Sequence, residues 1–328
     1  MARPEPHLSE THSPAARRSD AVPTRAAPPS KSNVTHADDR SGPILNAMTV
    51  DVEEHFQVSG FEGSVRREEW ESHPSRVSEN TGRLLDLFDE VGIRATFFVL
   101  GWLGERHPEL VRRIADRGHE VASHGYSHRL AYSQTHEEFR SETERSKRIL
   151  EDASGRAIAG YRAASFSIDR RNLWALDVLS EAGFTYDSSL FPVRHDRYGL
   201  PGAPRHPYRI RTRSGAQLTE IPPSTLRFRN TVLPVAGGGY LRLYPLALTS
   251  WAIARLERER LPAVVYVHPW ETDPEQPRID APLVSRMRHY VGIDGTVSKL
   301  RRLATRFRFA SMAEVVERCG PLPEIQLA

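Results

Sequence analysis

"SENTGRLLDLFDEVGIRATFFVLG", residues 78–101, decides the fold class. Its first part sets Leu84, Leu87, Phe88 and Val91 three and four apart, along one side of a helix, and stops at Gly92. Residues 93–101 then read as a short buried strand. The same unit recurs on both sides. Upstream, "ILNAMTVDV" (44–52) suits a buried strand. Downstream come a helix at 107–118, the strand "HEVAS" (119–123), a long helix at 134–155 ending in Gly155, the strand "AIAGYRA" (157–163), a helix at 172–183 and the strand "FTYDSS" (184–189). This alternation predicts an α/β fold, a mainly parallel sheet wrapped by helices, open or closed into a barrel.

Between about 190 and 243 the rhythm breaks into Pro, Arg and Gly with strand-like pieces, "AQLTEIP" (216–222) and "YLRL" (240–243). The expectation there is an insertion of antiparallel strands and loops. The α/β pattern resumes with a helix at 244–260 and the strand "PAVVYVHPWE" (262–271), and residues 321–328 read as a tail. The first 43 residues are rich in Pro, Ala, Ser and Arg, too poor in apolar side chains to offset their ordering entropy, so they are expected to be disordered. They lack the apolar stretch of a secretory signal, and the expected location is cytoplasmic.

Composition narrows the function. No apolar run reaches the roughly 20 residues of a membrane span. A net charge of +3 over 328 residues, with no tract alternating basic and aromatic residues, speaks against nucleic acid. The single cysteine, Cys319, excludes an intrachain disulfide and a cysteine-rich zinc site.

In parallel α/β folds the chemistry collects at the C-terminal ends of the strands. Here those ends deliver Asp51, Glu53 and Glu54, then His124 and His128 in "SHGYSH", Arg162, Asp187, and finally His268 in "YVHPW". Two histidines and a carboxylate make a three-ligand set for a divalent metal with one position left open, which suits zinc. A second carboxylate can take a proton from water, a histidine opposite can protonate the leaving group, and an arginine keeps the base ionised. An aspartate behind the acid histidine would favour its protonated form. Together these residues are a kit for hydrolysing an amide or ester.

In these ordered motifs the sequence resembles the polysaccharide deacetylases of the NodB-homology type (carbohydrate esterase family 4). "TVDVEEHF", "SHGYSH", "GYRAASFS", "YDSSLFP" and "YVHPWE" match the family's five motifs over about 44–270. "RHDRYGLP" (194–201), "GGGYLRL" (237–243) and "QPRIDAP…SRMRHYVG" (276–292) resemble the extra part, from about 271, of its exosortase/PEP-CTERM exopolysaccharide branch. The resemblance implies an irregular NodB-type barrel of seven strands over 44–320 and removal of N-acetyl groups from a polysaccharide. It implies Asp51 as base, Glu53, His124 and His128 on one divalent metal (Zn2+ first, Co2+ or Ni2+ as alternatives), His268 as acid tuned by Asp187, and Arg162 steadying Asp51. Exopolysaccharide biosynthesis machinery is the implied partner.

Two features depart from the family. Its usual D-D is spaced here as D-V-E; residues two apart on a strand share a face, so Asp51 and Glu53 can converge, with Glu54 left as a rival ligand. Ala164 replaces the third motif's proline, which predicts a looser Arg162 loop. Tyr126 and Trp270 are candidates for stacking on sugar rings, and the arginines of "RHPYRIRTR" (205–213) for attracting an acidic polymer. The rival functions are a cyclic-amide hydrolase on the same barrel and a non-catalytic glycan-binding or scaffold protein.

Overall fold

A computed structural model of the chain describes residues 42–195, 197–229, 231–235 and 237–327, so the expected disordered segment falls almost wholly outside the described residues. The early strands are β1 (Asn46–Val52), β2 (Thr96–Val99), β3 (Glu120–Ser123), β4 (Gly160–Tyr161) and β5 (Tyr186–Asp187). Between them run α1 (Val77–Glu90), α2 (Gly101–Arg106), α3 (Pro108–Asp116), α4 (His136–Ser154) and α5 (Trp174–Glu181). Then follow β6 (Tyr208–Arg211), β7 (Gln217–Glu220), β8 (Thr225–Phe228), β9 (Thr231–Pro234), α6 (Gly238–Leu243), α7 (Leu246–Arg258) and β10 (Val264–Val267). The chain closes with α8 (Leu283–Tyr290), α9 (Thr296–Arg306), β11 (Phe309–Ala310), α10 (Met312–Arg318) and β12 (Glu324–Ile325). Pro43–Ala328 forms one unit.

Among the described residues the parallel strands run in the order β10-β1-β2-β3-β4-β5-β7, and the short β11 also pairs in parallel with the start of β1. Seven is the number the resemblance implies, but the seventh, β7, comes from the stretch read as an antiparallel insertion: it pairs in parallel with β5 and antiparallel only with β6. Beyond β7 the sheet continues with β6, antiparallel to it, and then β12, parallel to β6. No ladder joins β7 to β10 among the described residues. There the Ser224 hydroxyl accepts the Val264 N–H at 2.6 Å, and Gly237 makes a single parallel bridge to Tyr266.

Strand parity sorts the core. Met48, Val50, Phe97, Val99 and Val121 belong to the large cluster that includes the helix residues Leu84, Phe88, Ile114 and Leu150. The alternate residues Ala47, Phe98, Ala122, Tyr186 and Val264 form the inner cluster with Met312 of α10. Helix α10 plugs the N-terminal ends of the strands: Met312 N–H donates to Thr96 Oγ1 and Ala313 N–H to Glu120 Oε2. The C-terminal ends are left for the polar residues.

Sequence and structure differ in three places. "YLRL" is helix α6, because Gly237 and Gly238 turn the chain hard against Tyr266; a Cβ at Gly237 would lie 2.0 Å from that ring. Residues 321–328 are more than a tail, since β12 pairs with β6. Strands β4 and β5 are only two residues long, because the chain leaves the sheet at once to carry Arg162 and Ser188 inward. No described helix is long and apolar enough to cross a membrane.

Candidate metal and catalytic centre

Glu53, His124 and His128 are all buried, and one ligand atom from each lies within 4.8 Å of the others. Glu53 leaves the end of β1, and His124 follows β3 directly, its N–H donating to Val99 O at 2.9 Å. His124 Nδ1 contacts Arg162 O at 2.8 Å, which commits that nitrogen to the proton and turns Nε2 free. His128 sits at φ 51°, in the left-handed region, and Arg67 holds that turn by donating to Ser127 O and His128 O at 3.0 and 3.3 Å. His128 Nε2 faces Glu53 Oε2 at 2.8 Å, yet that carboxylate oxygen has no well-directed hydrogen-bond donor. Burial alone would raise the Glu53 carboxyl, but the charges of His128 and His268 overcome it and hold it at about 2. Burial pushes His124 down to about 4, keeping the ring neutral as a metal ligand must be. A buried carboxylate and two imidazoles with converging lone pairs fit a divalent ion.

Asp51 lies on the same side of β1, two residues before Glu53. Arg162, fully buried, donates from one Nη to Asp51 Oδ1 at 2.6 Å and Thr49 Oγ1 at 2.9 Å. Its other Nη donates to Ser188 Oγ at 3.0 Å, and the guanidinium lies 4.1 Å from the Phe98 ring centre. This planar fork orients Asp51 in a way that lysine could not. On either side of Ala164 the loop is tied down: Ala163 N–H donates to Ser189 Oγ at 2.8 Å, and Ser165 pairs with Ser59 through their hydroxyls.

His268 stands across the centre, with Nε2 3.4 Å from Glu53 Oε1 and Nδ1 3.5 Å from Glu271 Oε2. Burial would lower it, but Glu53 and Glu271 outweigh that and raise it to about 9.

Asp187 is not behind His268. Strand parity separates them: Tyr186 belongs to the inner cluster, so Asp187 takes the opposite face of β5, in one row with Tyr161 and Glu220. There Asp187 accepts from Ser189 Oγ at 2.6 Å, and burial raises it to about 6. Burial and the neighbouring Asp187 raise Glu220 well above the usual carboxylate range, and neither Asp187 Oδ2 nor Glu220 Oε2 has a hydrogen-bond donor among the described residues.

Glu54 is no ligand. Its carboxylate caps α1, accepting from the Arg76 and Val77 N–H groups at 3.1 and 3.2 Å and from the Ser75 hydroxyl. Glu54→Ala is expected to cost about 1–3 kcal/mol of stability in urea titration, because buried donors lose their acceptor, and to leave bound metal unchanged. Loss of metal in that variant would return Glu54 to the ligand set.

The two aromatic candidates differ in surroundings. Trp270 is 4% exposed and sandwiched, with the His268 ring 5.0 Å away on one side and His289 3.9 Å away on the other, both nearly parallel to it. Its indole N–H donates to Glu53 Oε1 at 3.2 Å, so it orients a candidate ligand instead. Tyr126 donates to Glu105 Oε2 at 2.6 Å, and the Arg145 guanidinium covers its ring at 3.9 Å.

The sequence reading missed Glu271 and Arg242. Glu271 had a local signal: His268, Pro269 and Glu271 stand as N-cap, N1 and N3 of a short helical turn, the spacing of a capping box. Arg242 had none, since it meets Glu271 across 29 positions of chain.

Residues 70–186 match the family model described as polysaccharide deacetylase, and residues 188–317 match a domain of unknown function (DUF3473). A peptidoglycan deacetylase from Helicobacter pylori is 33% identical over 151 residues, covering 45% of this chain and 50% of that protein. A chitooligosaccharide deacetylase from Rhizobium leguminosarum bv. trifolii is 34% identical over 102 residues, covering 31% of this chain and 45% of that one. The chain thus spans half or less of the length of these curated relatives. A crystal structure from Mycobacterium smegmatis, described as a candidate polysaccharide deacetylase, superposes with a TM-score of 0.59 at 21% identity over 88% of this chain and 97% of that one. The Puue allantoinase superposes with a TM-score of 0.55 at 16% identity, covering 84% and 89%. These two likenesses concern the fold. Residues 70–186 are thus similar to polysaccharide deacetylases in sequence, and the chain shares the fold of the two superposed structures.

Proposed function

We propose that the chain is a metal-dependent hydrolase that removes N-acetyl groups from a polysaccharide, releasing acetate and leaving a free amine. The observation that carries this reading is the buried convergence of Glu53, His124 and His128, with Asp51 on one side and His268 on the other. A divalent ion held by these three residues, zinc first with Co2+ or Ni2+ as alternatives, supplies Lewis acidity towards the acetyl carbonyl and makes water a stronger acid. Asp51, kept ionised and aimed by Arg162, takes the proton from the attacking water. His268, raised to about 9 and so protonated at neutral pH, gives a proton to the departing nitrogen. Atoms balance: acetamide and water become acetate and amine.

The substrate we assign is an N-acetylated exopolysaccharide or its precursor, and the partner its biosynthetic machinery. The support is the resemblance of 194–201, 237–243 and 276–292 to that branch. With Trp270 buried, we assign sugar contacts to the cleft of about 470 Å3 lined in part by Ser59, Leu130, Tyr132 and Arg197, Leu130 following His128 by two residues. The test is product analysis of zinc-loaded protein with N-acetylated oligosaccharides and, separately, small cyclic amides. Acetate from the sugars is expected. Turnover of the cyclic amides alone would favour the rival hydrolase.

A further inference from the structure

We propose that Glu271, locked by Arg242, is the positioning carboxylate for His268, and that the 188–317 segment contributes this pair as its part in the centre. The inference rests on His268 acting as the acid in the function proposed above.

Arg242 joins Glu271 to the C-terminal end of α8. Its Nε donates to Glu271 Oε1 at 2.7 Å. Its Nη atoms donate to Arg288 O, His289 O and Val291 O, each at 2.7 Å, so the C-terminal carbonyls of α8 are satisfied by the same guanidinium. Lys299 Nζ in turn caps α6 through Leu241 O, Arg242 O and Tyr244 O at 3.0, 2.6 and 2.8 Å. The arginine is therefore fixed from both ends, and its side chain is only 2% exposed.

Glu271 is fully buried, and its second oxygen is given to His268 alone. Oε2 accepts the His268 backbone N–H at 3.1 Å and stands 3.5 Å from the ring Nδ1, which has no other acceptor. A gap of this length is usual before substrate arrives and closes with a small rotation of the ring. That ring lies parallel to Trp270, which in turn stacks on His289. His289 is pinned by the 2.7 Å contact of its Nε2 with Gln276 Oε1. The stack stops His268 from swinging away, and Glu271 directs which nitrogen keeps its proton: Nδ1 towards Glu271, Nε2 towards Glu53 and the reacting centre. Asp187 is excluded from this task by strand parity, so the carboxylate behind the acid comes from the turn after β10.

The test uses the full chain loaded with zinc, with Glu271→Gln, Glu271→Asp and the double variant Arg242→Met/Glu271→Met. The double variant removes both buried charges together, a change folds often tolerate. The readouts are zinc content, kcat and KM for acetate release, and the His268 Nδ1 proton by 15N NMR. The expected result is kcat down about 10- to 100-fold in Glu271→Gln and the double variant, with KM and zinc unchanged and partial rescue in Glu271→Asp. Wild type is expected to show a slowly exchanging Nδ1 proton that the double variant lacks. A folded double variant that keeps that proton, or keeps wild-type kcat, overturns the inference. Absence of acetate release or zinc in the wild type overturns instead the function proposed above, and the NMR signal still decides the role of Glu271.

Discussion

Arg162→Met is expected to lower stability by about 3–5 kcal/mol and to abolish acetate release. The guanidinium is wholly buried, and its donors serve Asp51, Thr49 and Ser188 at once. Methionine fills similar space but leaves the Asp51 carboxylate buried without its counter-charge, which is the costly way to break a buried pair. Urea denaturation measures the loss. A cost below about 1 kcal/mol would mean that Asp51 is solvated and that Arg162 does not hold it. Arg162→Lys should recover part of the stability and little of the activity, because one ammonium cannot reach both Asp51 and Ser188 with the geometry of the fork.

Asp51→Asn is expected to reduce kcat for acetate release by about 10²- to 10⁴-fold, the usual contribution of a general base, while bound zinc stays at the wild-type level. The amide preserves shape and can still accept from Arg162 through its oxygen, but it cannot accept the proton of water. The separation between activity and metal content is the informative part. If Asp51→Asn lost the metal, Asp51 would join the ligand set; if it kept wild-type kcat, the base would lie elsewhere.

Much of this arrangement could be read from the chain, and the failures share a physical cause. The 3.6-residue spacing of Leu84, Leu87, Phe88 and Val91 and the apolar runs beside it are local signals, and they gave the strands that bring Asp51, Glu53, His124, His128, Arg162 and His268 to one end of the sheet. Parity within β1 separated Asp51 and Glu53 from Glu54, although only the structure shows that Glu54 caps α1. Asp187 misled because a two-residue strand carries too short an alternation to tell which face its last residue takes. Trp270 looked available because sequence does not show what lies on either side of a ring. "YLRL" alternates like a strand, and the glycines packed against Tyr266 made it a helix through a contact distant in sequence. Arg242 was lost with it, and with Arg242 the grip on Glu271.

The central claim is that Glu53, His124 and His128 hold a catalytic metal, and elemental analysis tests it most directly. Purified wild type, exposed to zinc and desalted, should carry about one divalent ion per chain, and His124→Ala/His128→Ala should carry none while keeping its fold. A folded wild type that remains metal-free after exposure to zinc, cobalt and nickel would contradict the account and leave the binding or scaffold reading in its place.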